Sequence, residues 1–98
     1  MQFTLNDGTK MSVQGSSSHY CTPRVDNAQM YTEVEIGFPS RRIEKLMPYA
    51  EDKGNPTGTV YGWVPTSVLQ AIIREAGGIQ KIEIGSNGKI RLANVRLY

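Results

Sequence analysis

A second cysteine and a second histidine are both missing from this sequence: Cys21 and His19 stand alone in 98 residues. A single thiol excludes an internal disulfide and suits a reducing compartment, so a cytoplasmic location is expected. One thiol and one imidazole also fall short of the four ligands that close a structural zinc site. Long apolar runs are absent too. No stretch approaches the ~20 residues that span a bilayer, so no membrane partner is expected. The opening MQFTLNDGTK has neither the basic start nor the apolar block of a signal peptide. No G-x-x-x-x-G-K-[ST] loop occurs, and no G-x-G-x-x-G follows a strand, so no cofactor is expected.

Charge of one sign is scarce as well. A net charge of +2 does not by itself point to nucleic acid, which is an unfavoured partner. The distribution says more. Residues 25–60 carry four basic and six acidic side chains, whereas residues 77–98 carry Lys81, Lys89, Arg91 and Arg96 against Glu83 alone. That basic end reads as a solvated strand face or as a contact for an acidic or phosphate-bearing partner.

What is present belongs to one domain, residues 1–98, large enough for a single core. Phe3 and Leu5 alternate with polar residues, as do Met11 and Val13, around Asn6-Asp7-Gly8. A two-residue loop would set Phe3 against Ser12. A three-residue loop with Gly8 left-handed sets Phe3 against Met11 and keeps one face apolar, which selects the second register. The same argument over KIEIGSNGKIRL opposes Ile84 with Ile90 and Ile82 with Leu92 through a Ser86–Gly88 loop. Apolar parity then changes at Asn94, which predicts a bulge or bend there.

Between these hairpins one pattern occurs twice. TEVEIGFPSRRIEKLM and GTVYGWVPTSVLQAII each run from a strand through glycine, an aromatic and proline, with a hydroxyl residue following, into a helical stripe. Proline suits the first helical turn, where its missing N–H has no partner to lose. The first stripe presents Ile43, Leu46, Met47 and Ala50, with Pro48 ending or bending it. The second presents Val68, Leu69, Ile72, Ile73 and Ala76, stopped by Gly77-Gly78. Residues 51–58 read as an exposed, mobile connection. The order ββ-β-α-β-α-ββ predicts an α+β fold: a mixed, largely antiparallel sheet of about five or six strands, with two helices on one face.

Candidate chemistry concentrates in SSSHYCTPR, Ser16 to Arg24. A Cys-His nucleophile pair needs the imidazole within about 3 Å of the sulfur and an orienting group behind it. Two positions apart in extended chain, these side chains lie roughly 6–7 Å apart, and the chain offers no second histidine. Catalysis is therefore not expected, a small enzyme with an unrecognised site being the least favoured reading. Glu33/Glu35 and Glu51/Asp52 read as solubilising pairs rather than acid/base groups. Binding remains. Ser17, Ser18, His19, Tyr20 and Arg24 supply hydroxyls, planar groups and a fixed positive fork, unless Tyr20 and Cys21 simply fold back onto the core. Tyr61 and Trp63 share strand parity and are expected on one face, as core packing or as interface anchors.

In general form, with HYCTPR and GFPS, the chain resembles the small single-domain accessory proteins of bacteriophages and mobile elements. Some of these block a host surface and others absorb a signalling nucleotide. The resemblance implies an inhibitor or sponge role in counter-defence, and no functional residue is carried over from it. The expected function is thus a non-catalytic binding protein that blocks a macromolecular partner. The alternative is a binder or sponge of a small polar or nucleotide-like ligand. A homodimer through an unpaired sheet edge, in particular the one ending VRLY, is also expected.

Overall fold

The computed structural model describes residues 1–85 and 88–95. Five strands, β1 (Gln2–Leu5), β2 (Lys10–Gln14), β3 (Glu33–Gly37), β4 (Val60–Pro65) and β5 (Ile79–Glu83), form one sheet in the order β4-β3-β2-β1-β5. Every pair of neighbours in it is antiparallel. A 3-10 helix spans Glu44–Tyr49, and one α-helix, α1, spans Thr66–Glu75. The fold is α+β, as expected. No described helix is long and apolar enough to cross a membrane.

The first hairpin takes the register selected by its apolar face. Phe3 pairs with Met11, Leu5 N–H donates to the Thr9 carbonyl at 2.7 Å, and Gly8 has φ +90°, which a side chain would strain. Phe3, Leu5, Met11, Val13, Val34 and Ile36 alternate inward, and they are fully buried together with Tyr61 and Val64 of β4. Leu46 from the 3-10 helix and Leu69, Ile72 and Ile73 from α1 complete the same core. The α1 helix ends as its Gly77-Gly78 signal predicts. Gly78 N–H reaches the Ile73 carbonyl and Gly77 N–H the Arg74 carbonyl, with both glycines at positive φ. Asn6 then ties the first turn to this end through its amide, 2.6 Å from the Gly77 carbonyl.

Three local expectations fail. The first helical stripe is a 3-10 segment rather than an α-helix. It starts only at Glu44, well past Pro39, and it contains Pro48, which has no N–H for an i−4 bond. The second hairpin does not form among the described residues. Strand β5 pairs with β1, while Leu92 bridges to Tyr31 in parallel. Ile84 is consequently 51% exposed, whereas Ile90 and Leu92 are buried elsewhere. Asn94, where apolar parity changes, sits in a turn at φ +58°. The expected Ser86–Gly88 loop falls partly, and the VRLY edge largely, outside the described residues.

The third failure is the shared face of Tyr61 and Trp63. The β3–β4 register shifts between Val34 and Ile36, and Trp63 takes φ +49°. This bulge rotates the strand between the two aromatics. Tyr61 points into the core with no exposure and donates its hydroxyl to the Pro56 carbonyl, while Trp63 stands 46% exposed. Burial pushes the Tyr61 phenol above its ordinary value. Residues 51–58 are mostly exposed as expected, and successive turn bonds, Asn55 N–H to Asp52 and Gly58 N–H to Asn55, hold them.

Candidate functional site

Residues 15–32 form a long connection between β2 and β3, and the side chains of β3 tether it. Glu33 and Glu35 alternate with the buried Val34 and Ile36, so their carboxylates face away from the core. Thr22 Oγ donates to Glu33 Oε1 at 2.6 Å, and the Tyr20 N–H donates to Glu35 Oε2 at 2.9 Å. The pair read as solubilising thus holds the loop. The Tyr20 carbonyl in turn accepts the Trp63 N–H at 2.9 Å, joining the loop to the β4 bulge.

That bond brings two rings together. Tyr20 and Trp63 stack with centroids 4.8 Å apart and planes 26° from parallel. The Arg24 guanidinium carbon lies 5.2 Å from the centre of the Tyr20 ring, within cation–π range. Gly62 makes the approach possible: a Cβ there would sit 3.1 Å from the Tyr20 Cβ. An isolated glycine inside a strand pattern marks such a bulge or close approach, so Gly62 carried the sequence signal for this contact. Tyr20 is 36% exposed, and the ladder Arg24–Tyr20–Trp63 is an outward-facing surface.

The opening of the loop is organised differently. Ser16 Oγ lies 2.6 Å from His19 Nδ1 and 3.0 Å from Ser18 Oγ, and it accepts the Ser18 N–H at 3.1 Å. Ser17 donates both its N–H and its hydroxyl to Asp26 Oδ1, at 2.9 and 3.0 Å. These two bonds, then the positive potential of His19, hold the Asp26 carboxyl below its ordinary range. Cys21 is buried, and its thiol is directed at the carbonyls of Ser16 and Pro23 rather than at the imidazole. The His19 contact with Ser16 is the nearest approach to a nucleophile–base pair. No carboxylate hydrogen-bonds the ring among the described residues, so the orienting member of a triad is lacking. No group of three His, Cys, Asp or Glu among them is arranged to hold a metal.

The seven candidate residues therefore part company. Tyr20, Arg24 and Trp63 converge. Ser17 and Ser18 line a separate cleft, His19 bonds within its own turn, and Tyr61 belongs to the core. Comparison with known proteins finds no matching family model, curated protein or solved structure, so the site stands on its own geometry.

Proposed function

We propose that this chain is a non-catalytic binding protein that blocks a macromolecular partner, and that it presents Arg24, Tyr20 and Trp63 as the contact. The observation that carries this reading is the exposed stack itself, held by main-chain bonds before any partner arrives. Trp, Tyr and Arg are the residue types that concentrate binding energy, and a contact already ordered loses less entropy on association. The backbone at Trp63 is left-handed. A non-glycine residue in the left-handed region costs ~1–2 kcal/mol, and Trp63 occupies that region with its ring half in solvent. Phe38 shares this φ without a stacked ring among the described residues, so the stack on Tyr20, and not the strain, singles Trp63 out. The partner that fits offers an apolar recess for the indole and a carboxylate for Arg24.

The experiment is affinity capture from bacterial lysate with the wild type, Trp63→Ala, Tyr20→Ala and the exposed control Ile84→Ser, each verified as folded by circular dichroism. Stoichiometric capture of one protein by the wild type and the control, lost with either stack variant, supports the reading. A partner held equally well by all four, or no partner at all, contradicts it.

A further inference from the structure

A second surface lies where the Ser16–Ser18 turn faces the basic C-terminal segment. Residues 15–18, 26–29, 31 and 89–91 enclose a cleft of about 510 Å3. Small-molecule sites occupy ~300–1,000 Å3, so the space suits a compact ligand. Tyr31 builds it. Its buried hydroxyl donates to the Val25 carbonyl at 2.7 Å and accepts the Ala28 N–H, fixing the 25–28 side. Its N–H donates to the Arg91 carbonyl at 2.8 Å, and its own carbonyl accepts the Ala93 N–H at 2.9 Å, fixing the other side. Gly15 lies so close to the ring that a Cβ there would meet it at 2.9 Å.

The lining has a definite polarity. Lys89 and Arg91 belong to the lining on one side, and neither forms a salt bridge among the described residues. Asp26 lies on the other side with Asn27 and Gln29. Both Ser17 bonds fall on Asp26 Oδ1, and among the described residues no hydrogen bond to Oδ2 competes with a ligand for it. A bare anion would be drawn by the two cations and repelled by this carboxylate. A ligand that suits both sides carries an anionic group at one end and hydrogen-bond donors at the other. Arginine's planar fork matches phosphate oxygens two at a time, which favours phosphate as the anion.

We propose that this cleft binds a phosphorylated, hydroxyl-bearing small molecule, a sugar phosphate or the ribose phosphate part of a nucleotide. Lys89 and Arg91 hold the phosphate, and Asp26 and Asn27 receive the hydroxyl end. The site is independent of the aromatic stack, since none of Tyr20, Arg24 and Trp63 lines it.

Isothermal titration calorimetry of the full chain with inorganic phosphate, ribose, ribose 5-phosphate and adenosine monophosphate tests this. Ribose 5-phosphate should bind at least about tenfold more tightly than ribose or phosphate alone. Tighter binding of the monophosphate assigns the nucleotide, and equal binding assigns the sugar phosphate. Lys89→Ala and Arg91→Ala should each weaken ribose 5-phosphate by about tenfold or more, while Lys81→Ala, an exposed cation outside the cleft, changes nothing. Both cleft variants keep the main-chain bonds to Tyr31, and Arg91→Lys retains the charge while losing the fork. Equal affinity for ribose and ribose 5-phosphate, no binding at millimolar concentration, or indifference to Lys89 and Arg91 overturns the proposal.

Discussion

Two Gly-aromatic steps, Gly37-Phe38 and Gly62-Trp63, put their aromatic residue at the same φ of +49°, yet they lead to different structures. Phe38 is 60% exposed and has no stacked ring among the described residues, while Trp63 is covered on one side by Tyr20. After Phe38 the chain runs through residues 39–43 before a short 3-10 helix containing Pro48, and after Trp63 a ten-residue α-helix follows directly on β4. The left-handed aromatic is therefore a property of the local step. What each ring becomes depends on whether another segment reaches it. A Cβ on Gly62 would press on Tyr20 of the loop, whereas one on Gly37 would meet Ser12 at an ordinary 3.6 Å.

The largest expected difference between the two units lies in their helices. Leu69→Ala, in α1, should lower stability in urea by ~3 kcal/mol, the ordinary cost of an emptied core site. Met47→Ala, at a half-buried position of the 3-10 helix, should cost only about 1 kcal/mol. Equal losses would break the contrast. Next come the glycines. Gly62→Ala should destabilise by about 1–2 kcal/mol through overpacking and disturb the Tyr20 stack in near-UV dichroism. Gly37→Ala should be neutral or stabilising by up to about 1 kcal/mol, because it restricts the unfolded chain without a clash. The aromatics follow. Phe38→Gly should fall within about 0.5 kcal/mol of the wild type, its lost contacts offset by relieved strain. Trp63→Gly relieves similar strain but loses the stack, a net cost of about 1 kcal/mol.

The smallest effect concerns the tether that shapes the β2–β3 loop, whose Tyr20 reaches the second unit. The carboxyl of Asp26 is held below its ordinary range by the Ser17 bonds. Its contribution is complete above the unfolded carboxyl value of about 3.9. It fades as pH falls through the lower folded value. The Ser17 amide resonance should therefore stay fixed from pH 7 to pH 5 and move only below about pH 4. Movement already between pH 7 and pH 5 would mean that the Asp26 carboxyl is not what holds the Ser17 amide.

Much of the sheet was legible because alternation has period two and a one-residue slip would turn Phe3 and Met11 outward. The C-terminal hairpin failed because the same alternation says that Ile90 and Leu92 are buried without saying against what. Leu92 bridges to Tyr31, a contact of long sequence separation. Parity also misled at Tyr61 and Trp63, since one bulge between them cancels it. At the candidate site, the residue types in SSSHYCTPR were legible and their division was not. Tyr20 turns to β4 because Glu35 holds its N–H, and the serines turn to the cleft because Asp26 holds Ser17. Glu35 read as a solubilising charge like Glu51 and Asp52, and nothing in the sequence singled out Asp26.

Trp63 is the only tryptophan of the chain, so its fluorescence reads the proposed contact without a label. Acrylamide quenching of the free protein and of its complex with the captured partner tests the account most directly. An indole open to acrylamide in the free chain and shielded in the complex is the predicted result. Equal quenching in both states would mean that the partner sits elsewhere and that the aromatic stack is not the binding surface.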